Sequence, residues 1–145
     1  MLNRISRQRK KRRKGAVLVE TGLIFVAFSF MLMGAFDFAQ FLFIHQALVD
    51  RARSAARWGA VNDPANTSAI QNMVLYNQAT VPDGATSGVF GLTSDVDSVS
   101  TQDSATDNYR LVVAIMNYQY AMISPIIGGT HTGPNIVISV PLGLN

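Results

Sequence analysis

The sequence predicts an α+β fold in which a long N-terminal helix carries a small C-terminal antiparallel sheet. Three observations support this prediction. Residues from about 17 to about 61 contain no proline and keep helical spacing of apolar and polar side chains. Segments 109–120 and 136–140 are rich in β-branched and aromatic residues, which is typical of strands. Segment 80–108 is rich in Gly, Ser, Thr and Asp, which favours a loop.

The basic residues are concentrated at the N-terminus. Eight of the 12 Lys and Arg residues precede Gly15, and no acidic residue precedes Glu20. Because an apolar segment follows directly, this charge indicates a leader that stays on the cytoplasmic side of a membrane, rather than a nucleic-acid-binding tail. The chain has no cysteine, which excludes disulfides and thiolate metal sites.

The apolar segment 16–36 is long enough to cross a bilayer. As a helix with a rise of about 1.5 Å per residue it reaches about 30 Å, the thickness of the hydrocarbon layer. Its only charged residue is Glu20, one turn inside the near interface, and Asp37 follows at the far interface. We therefore expect a transmembrane segment at about 16–36.

The second half of the helix is predicted to be amphipathic. Polar side chains recur at Gln46, Asp50, Arg53 and Arg57. Another side carries small and apolar residues, which are Leu48, Ala52, Ala55, Ala56 and Gly59. A repeat of small residues every four positions, at Ala52, Ala56 and Ala60, is explained either by close approach of another helix or by helix propensity alone.

Three regions are predicted: a basic leader at 1–15, the long helix at 16–61, and a small extracytoplasmic α+β domain at 62–145. Within the last region the sequence predicts a turn at 62–66 and a short helix at 67–77. It also predicts a short strand at 89–92 and a turn-rich connection at 123–134.

No catalytic or metal-binding motif is recognisable, and we expect neither an enzyme nor a cofactor. His45 and His131 have no spaced partner, which favours structural roles. The acidic segment lacks the glycine and closing glutamate of a calcium-binding loop, so a solvated loop is expected at Asp95, Asp97, Asp103 and Asp107. The tripeptide 66–68 (Asn-Thr-Ser) fits a glycosylation acceptor and is expected to be incidental.

The junction between leader and span has the layout of a type IV prepilin cleavage site. Gly15 ends the basic run, and Glu20 stands at the fifth position after it. Cleavage is therefore expected between Gly15 and Ala16. Two alternatives are a conventional cleaved signal peptide and an uncleaved signal anchor. The first usually has an apolar core of only about 7–15 residues, which is shorter than this segment.

Segment 14–61 resembles the TadE-like family of tight-adherence (Flp) pilus proteins. The matching positions are Gly15, Val19, Glu20, Gly34, Asp37, Ala55, Ala56, Arg57, Gly59 and Ala60. The chain departs from the family pattern where it lacks a proline soon after Glu20, where Thr21 replaces a bulky apolar residue, and where Gln40 replaces a common Arg. These departures leave open whether the role is that of TadE, TadF or a major pilin.

The resemblance implies a minor pilin or pseudopilin of the bacterial inner membrane, with its N-terminus in the cytoplasm and its C-terminus in the periplasm or in an extracellular adhesive pilus. The implied partners are a prepilin peptidase, other pilin subunits, the inner-membrane assembly platform and membrane lipid, with no nucleic acid. Glu20 would pair with the free amine of Ala16 on a neighbouring subunit. The alternative function is a signal-anchored periplasmic enzyme or binding module, which predicts an intact N-terminus and a polar pocket.

Overall fold

The computed structural model describes residues 2–95, 97–102, 109–124 and 128–142, with side chains from residue 15 onward except at 97–99, 101 and 102. The described elements, in chain order, are α1 (Leu2–Val61), α2 (Thr67–Tyr76), a 3₁₀ turn (Val89–Gly91), β1 (Asp97–Gln102), β2 (Arg110–Ile115), β3 (Gln119–Met122), β4 (Gly129–Thr132) and β5 (Ile136–Pro141). This arrangement confirms the predicted α+β class.

The long helix α1 ends where the sequence predicts, at Val61. It begins earlier than the predicted start near residue 17, because the basic leader is also helical. The amphipathic prediction for its second half is confirmed. The polar positions Gln46, Asp50, Arg53 and Arg57 are exposed, whereas Leu48, Ala52, Ala55, Ala56 and Gly59 are buried.

The short helix α2 confirms the prediction for 67–77 to within one residue. Asn66 caps its N-terminus, since the side-chain oxygen of Asn66 accepts a hydrogen bond from the backbone N–H of Ala69 at 3.1 Å. The Ser68 hydroxyl donates to the same oxygen at 3.0 Å. The Asn-Thr-Ser tripeptide therefore has a structural role at the start of a helix.

The strands form two antiparallel sheets. One has the order β1-β2-β5, so β2 is central, and the other pairs β3 with β4. In the first sheet Ile115 lies opposite Ile136 at one end, and Arg110 lies opposite Pro141 at the other. The buried core lies between this sheet, α2 and the second half of α1.

The strand predicted at 89–92 is wrong. Val89–Gly91 forms a 3₁₀ turn, in which Phe90 has φ 53° and Gly91 has φ 74°. Positive φ values are incompatible with an extended strand, and the hydrophobic side chains alone suggested one.

The predictions for the remaining strands need two corrections. Segment 109–120 is two strands rather than one, because Asn117 adopts a left-handed conformation (φ 59°) between β2 and β3. The predicted loop 80–108 and the predicted connection 123–134 contain β1 and β4, respectively. Both strands are polar in sequence, and their pairing with hydrophobic neighbours is a tertiary effect that propensity does not reveal.

Candidate functional site

The predicted processing and pairing residues lie together on an exposed part of α1. Gly15, Ala16 and Glu20 are all exposed. Ala16 and Glu20 are four positions apart, which places them on the same face of the helix, one turn from each other. In a single chain, this geometry leaves both side chains accessible to another molecule.

The surface of α1 that follows is apolar and uncovered. The helix from Gly15 to Val61 contains an apolar stretch of 18 residues with a mean hydropathy of 2.2. None of these 18 residues is buried, and the helix is long and apolar enough to cross a membrane. Its exposed large side chains include Leu18, Phe25 and Met31, with exposed fractions of 75%, 68% and 78%. A soluble core helix would bury such residues, whereas a membrane anchor or a signal sequence would not.

Two hydroxyl groups within this segment are satisfied inside the helix. Thr21 donates to the backbone carbonyl of Val17, and Ser29 donates to that of Phe25, both at 2.9 Å. A polar side chain in lipid is costly only when it is unpaired. The departure from the family pattern at Thr21 therefore leaves the segment compatible with a bilayer.

Asp37 joins the end of the apolar segment to the domain. Its side chain is only 5% exposed. Oδ1 accepts a hydrogen bond from the backbone N–H of Ile123 at 2.7 Å, and Oδ2 accepts one from that of Ser124 at 2.8 Å. Hydrogen bonds to an ionised carboxylate are stronger than neutral ones. We refer to this arrangement as the Asp37 contact, and it fixes the end of β3 against α1.

The sequence pattern predicts Asp37 at the membrane interface but does not reveal this contact. The residues that bond to Asp37 are 86 and 87 positions away in the chain, and both contribute only backbone groups. The available signal was an acid at the boundary of an apolar helix, since such a group requires a partner when it is buried.

An aromatic cluster lies next to the Asp37 contact, further along α1. His45 Nδ1 and the Tyr118 hydroxyl share a hydrogen bond of 2.8 Å. The ring of Phe41 lies 5.9 Å from that of His45 and 4.9 Å from that of Tyr120. Tyr120 also lies 5.9 Å from His131. The two histidines, which no sequence pattern connects, thus flank one cluster, and both make packing contacts in it.

Tyr118 is the most buried polar member of this cluster, with 1% of its surface exposed. Burial, and secondarily the neighbouring Tyr120, raises the pKa of the Tyr118 phenol. The hydroxyl therefore stays protonated at neutral pH and can donate to His45. A Cβ on Gly133 would overlap the Tyr118 ring, so glycine is required where this ring packs against the backbone.

The small residues of α1 contact the chain's own domain. Ala52 and Ala56 are fully buried in its core. A Cβ on Gly59 would lie 2.6 Å from Cδ1 of Ile70 and 2.9 Å from Cδ2 of Leu111. Of the two predicted explanations of the small-residue repeat, the close approach of another helix is confirmed, because Ile70 belongs to α2. The sheet also approaches this side of α1 through Leu111, which the sequence pattern does not reveal.

The described residues offer little chemistry beyond these contacts. A groove of about 260 Å³ is lined by Phe90, Gly91, Leu92, Thr93, Asn117, Tyr118 and Gln119. Among the described residues no three His, Cys, Asp or Glu side chains are placed to hold a metal ion. Of the acidic segment, Asp103 and Asp107 lie outside the described residues, as does the side chain of Asp97, and Asp95 is exposed.

A comparison with models of protein families gives a match to part of the chain. The model of the family described as TadE-like protein matches residues 15–57, which is less than half of the chain. No curated protein and no solved structure matches. The matched segment contains the predicted processing site, the exposed apolar surface, Asp37 and the first part of the buried face. Residues 15–57 are therefore similar to the TadE-like family, which confirms the resemblance.

Proposed function

We propose that this chain is a minor pilin or pseudopilin-like subunit in the assembly of a tight-adherence (Flp) pilus, and that it supports adhesion to surfaces. The observation that carries the proposal is the coincidence of the TadE-like match at 15–57 with an uncovered apolar helix surface. In this function, the helix inserts into the bacterial inner membrane with the leader in the cytoplasm, and the domain extends into the periplasm or the pilus.

A prepilin peptidase is the proposed processing partner, and it cuts between Gly15 and Ala16. A Cβ built on Gly15 meets nothing within 4 Å, so the chain's own fold does not require glycine there. A peptidase that binds the scissile backbone closely would explain the glycine, because a side chain at position 15 would obstruct that approach. The chain is a substrate of this enzyme and has no catalytic role of its own.

Glu20 is proposed to pair with the Ala16 ammonium of an adjacent subunit after processing. Its carboxylate is exposed and makes no hydrogen bond or ion pair with the described residues. A charged group inside a membrane-spanning segment is costly unless it finds a partner. Other pilin subunits and the inner-membrane assembly platform are the partners that assembly would bring to it.

The decisive experiment is the intact mass of the protein isolated from its native membrane. The proposed function predicts a mature chain that begins at Ala16. A full-length chain in cells that contain the peptidase would overturn the proposal in favour of a signal-anchored periplasmic protein.

A matched pair of variants identifies the cut more sharply. Gly15→Val should block processing, because the added side chain obstructs the scissile backbone. Gly22→Val is the control, since a Cβ at Gly22 also meets nothing within 4 Å. It should be processed normally. Equal processing of both variants would argue against Gly15 as the residue before the cut.

A further inference from the structure

We propose that the domain is seated on the lipid surface through an apolar collar, which consists of Phe38, Leu42, Phe43, Phe90 and Ile123. The proposal rests on the membrane anchor of the proposed function and adds a second lipid contact, made by the domain itself. The collar lies along the exposed side of α1 directly after the predicted span, and two of its five members belong to domain loops.

The collar exposes large apolar side chains where a soluble domain would bury them. The exposed fractions are 61% for Phe38, 37% for Leu42, 65% for Phe43, 41% for Phe90 and 76% for Ile123. Scattered exposed apolar residues are normal, but a contiguous group beside an apolar span indicates an interaction surface.

The collar is continuous with the predicted span. The backbone N–H of Ile123 bonds to Asp37, the first residue after that span, so Ile123 lies at the level where the span ends. Phe90 packs edge-on against Phe43 with ring centroids 6.0 Å apart. Phe90 and Ile123 therefore lie beside the exposed apolar residues of α1 that directly follow the span.

The height of the collar matches the interfacial layer of a bilayer. Along α1 the collar extends from Phe38 to Phe43, about 7.5 Å at a rise of about 1.5 Å per residue. The layer between hydrocarbon and water on one side of a bilayer is about 5–8 Å thick. Amphipathic surfaces bury their apolar side chains about 5–10 Å into this boundary.

Asp37 does not oppose this placement. A free carboxylate would require water and would move the boundary of the lipid below residue 37. Asp37 is instead buried under the domain, and both of its oxygens accept backbone hydrogen bonds. Because the carboxylate is satisfied within the protein, lipid headgroups can extend past it along the exposed sides of the helix.

Lipid fits the collar better than a single protein partner does. Phe38 and Phe43 are five residues apart, which separates them by about 140° around a helix with 3.6 residues per turn. One flat protein surface covers a narrower arc than this, whereas lipid can cover the whole exposed arc of the helix. Phe90, moreover, remains 41% exposed although its backbone adopts φ 53°, a conformation that is rare for a bulky residue.

The test uses the absence of cysteine from the chain. Phe90→Cys and Ile123→Cys are each labelled with an environment-sensitive fluorophore in the full-length protein, which is then reconstituted in phosphatidylcholine vesicles containing lipid that is spin-labelled near its headgroup. Met31→Cys, within the span, is the positive control. Val61→Cys is the matched negative control, because Val61 is 84% exposed but lies about 27 Å beyond Phe43 at the helix rise of about 1.5 Å per residue.

The proposal predicts that lipid quenches the labels at 90 and 123 at least about twofold more than the label at 61, since apolar collar groups enter the headgroup boundary. If lipid quenches the label at 31, but those at 90 and 123 respond like the label at 61, the collar is overturned and the anchor stands. If lipid does not quench the label at 31, the membrane anchor itself is overturned, and the collar with it.

Discussion

The two halves of α1 differ in what their side chains contact. The first half, from Val17 to Phe36, exposes its large apolar residues, whereas the second half buries a face against the domain. The same contrast holds for the two acids. Glu20 is exposed, whereas Asp37 is buried and accepts hydrogen bonds from two backbone N–H groups of the domain. The apolar face of the second half is thus covered by the chain's own domain. The apolar surface of the first half needs another molecule, such as lipid or a second subunit, to cover it.

This contrast predicts opposite consequences for changes in the two halves. Changes in the second half should lower the stability of the isolated chain. Changes in the first half should leave that stability unchanged and affect processing, insertion or assembly.

Removal of the second half should have the largest effect. A shortened chain that begins at Val61 lacks Leu48, Ala52 and Ala56, all fully buried in the core, and should not fold cooperatively. A chain that begins at Gln46 keeps them and should show a cooperative thermal transition. Circular dichroism measures both, and equal melting curves would contradict packing of α1 on the sheet.

Asp37→Ala should be the most destabilising single substitution, because it removes the Asp37 contact. It removes the two charge-assisted hydrogen bonds that join α1 to the end of β3, which should cost about 2–4 kcal/mol. Thermal unfolding of the full-length chain in detergent measures this loss. Glu20→Ala is the matched control in the first half and should leave the transition unchanged. A comparable loss in both variants would contradict the division of the helix.

Gly59→Val should destabilise the chain by about 1–3 kcal/mol, because the added atoms overlap Ile70 and Leu111 in a packed core. Gly34→Val is the matched control, since a Cβ at Gly34 meets nothing within 4 Å. The midpoint of thermal unfolding should fall only in the first variant. If Gly34→Val unfolds as easily, the first half also contributes to the chain's own core.

The features that the sequence predicted are those set by neighbouring residues. The end of α1 at Val61 and the position of α2 follow from local turn and capping residues, and the buried stripe follows from helical spacing. The features that it missed join distant segments. The Asp37 contact spans 86 and 87 residues and the His45–Tyr118 bond spans 73, and neither distance leaves a periodic pattern. Strands β1 and β4 were missed because polar strands depend on their partners.

Tyr118→Phe should have a smaller effect, about 1 kcal/mol, since it removes one hydrogen bond and keeps the ring that packs on Gly133. The pH dependence provides a second measurement. The pKa of Tyr118 is raised in the folded state, so the folded chain loses stability as the pH rises above the ordinary tyrosine value of 10.0. The variant should lose less stability over that range, and an unchanged alkaline transition would contradict the burial of the phenol.

Glu20→Gln should have the smallest effect on the isolated chain and the clearest effect on assembly. The substitution keeps the shape and polarity of an exposed side chain but removes its charge. Unfolding, insertion and processing at Gly15 should therefore be normal. In the assembled state, however, the Ala16 ammonium of the neighbouring subunit would lose its partner, and removal of one member of a buried ion pair typically costs about 3–5 kcal/mol. That loss is large enough to prevent stable incorporation.

The measurement for Glu20→Gln compares processed protein in the membrane fraction with protein in sheared surface fibres. We expect normal amounts in the membrane and a strong reduction in the fibres. Asp37→Asn is the informative companion, because it should weaken the domain before any assembly step and so reduce the protein in both fractions. Normal fibres with Glu20→Gln would mean that the charge has no part in subunit pairing. The exposed first half of α1 would then need only lipid as its partner.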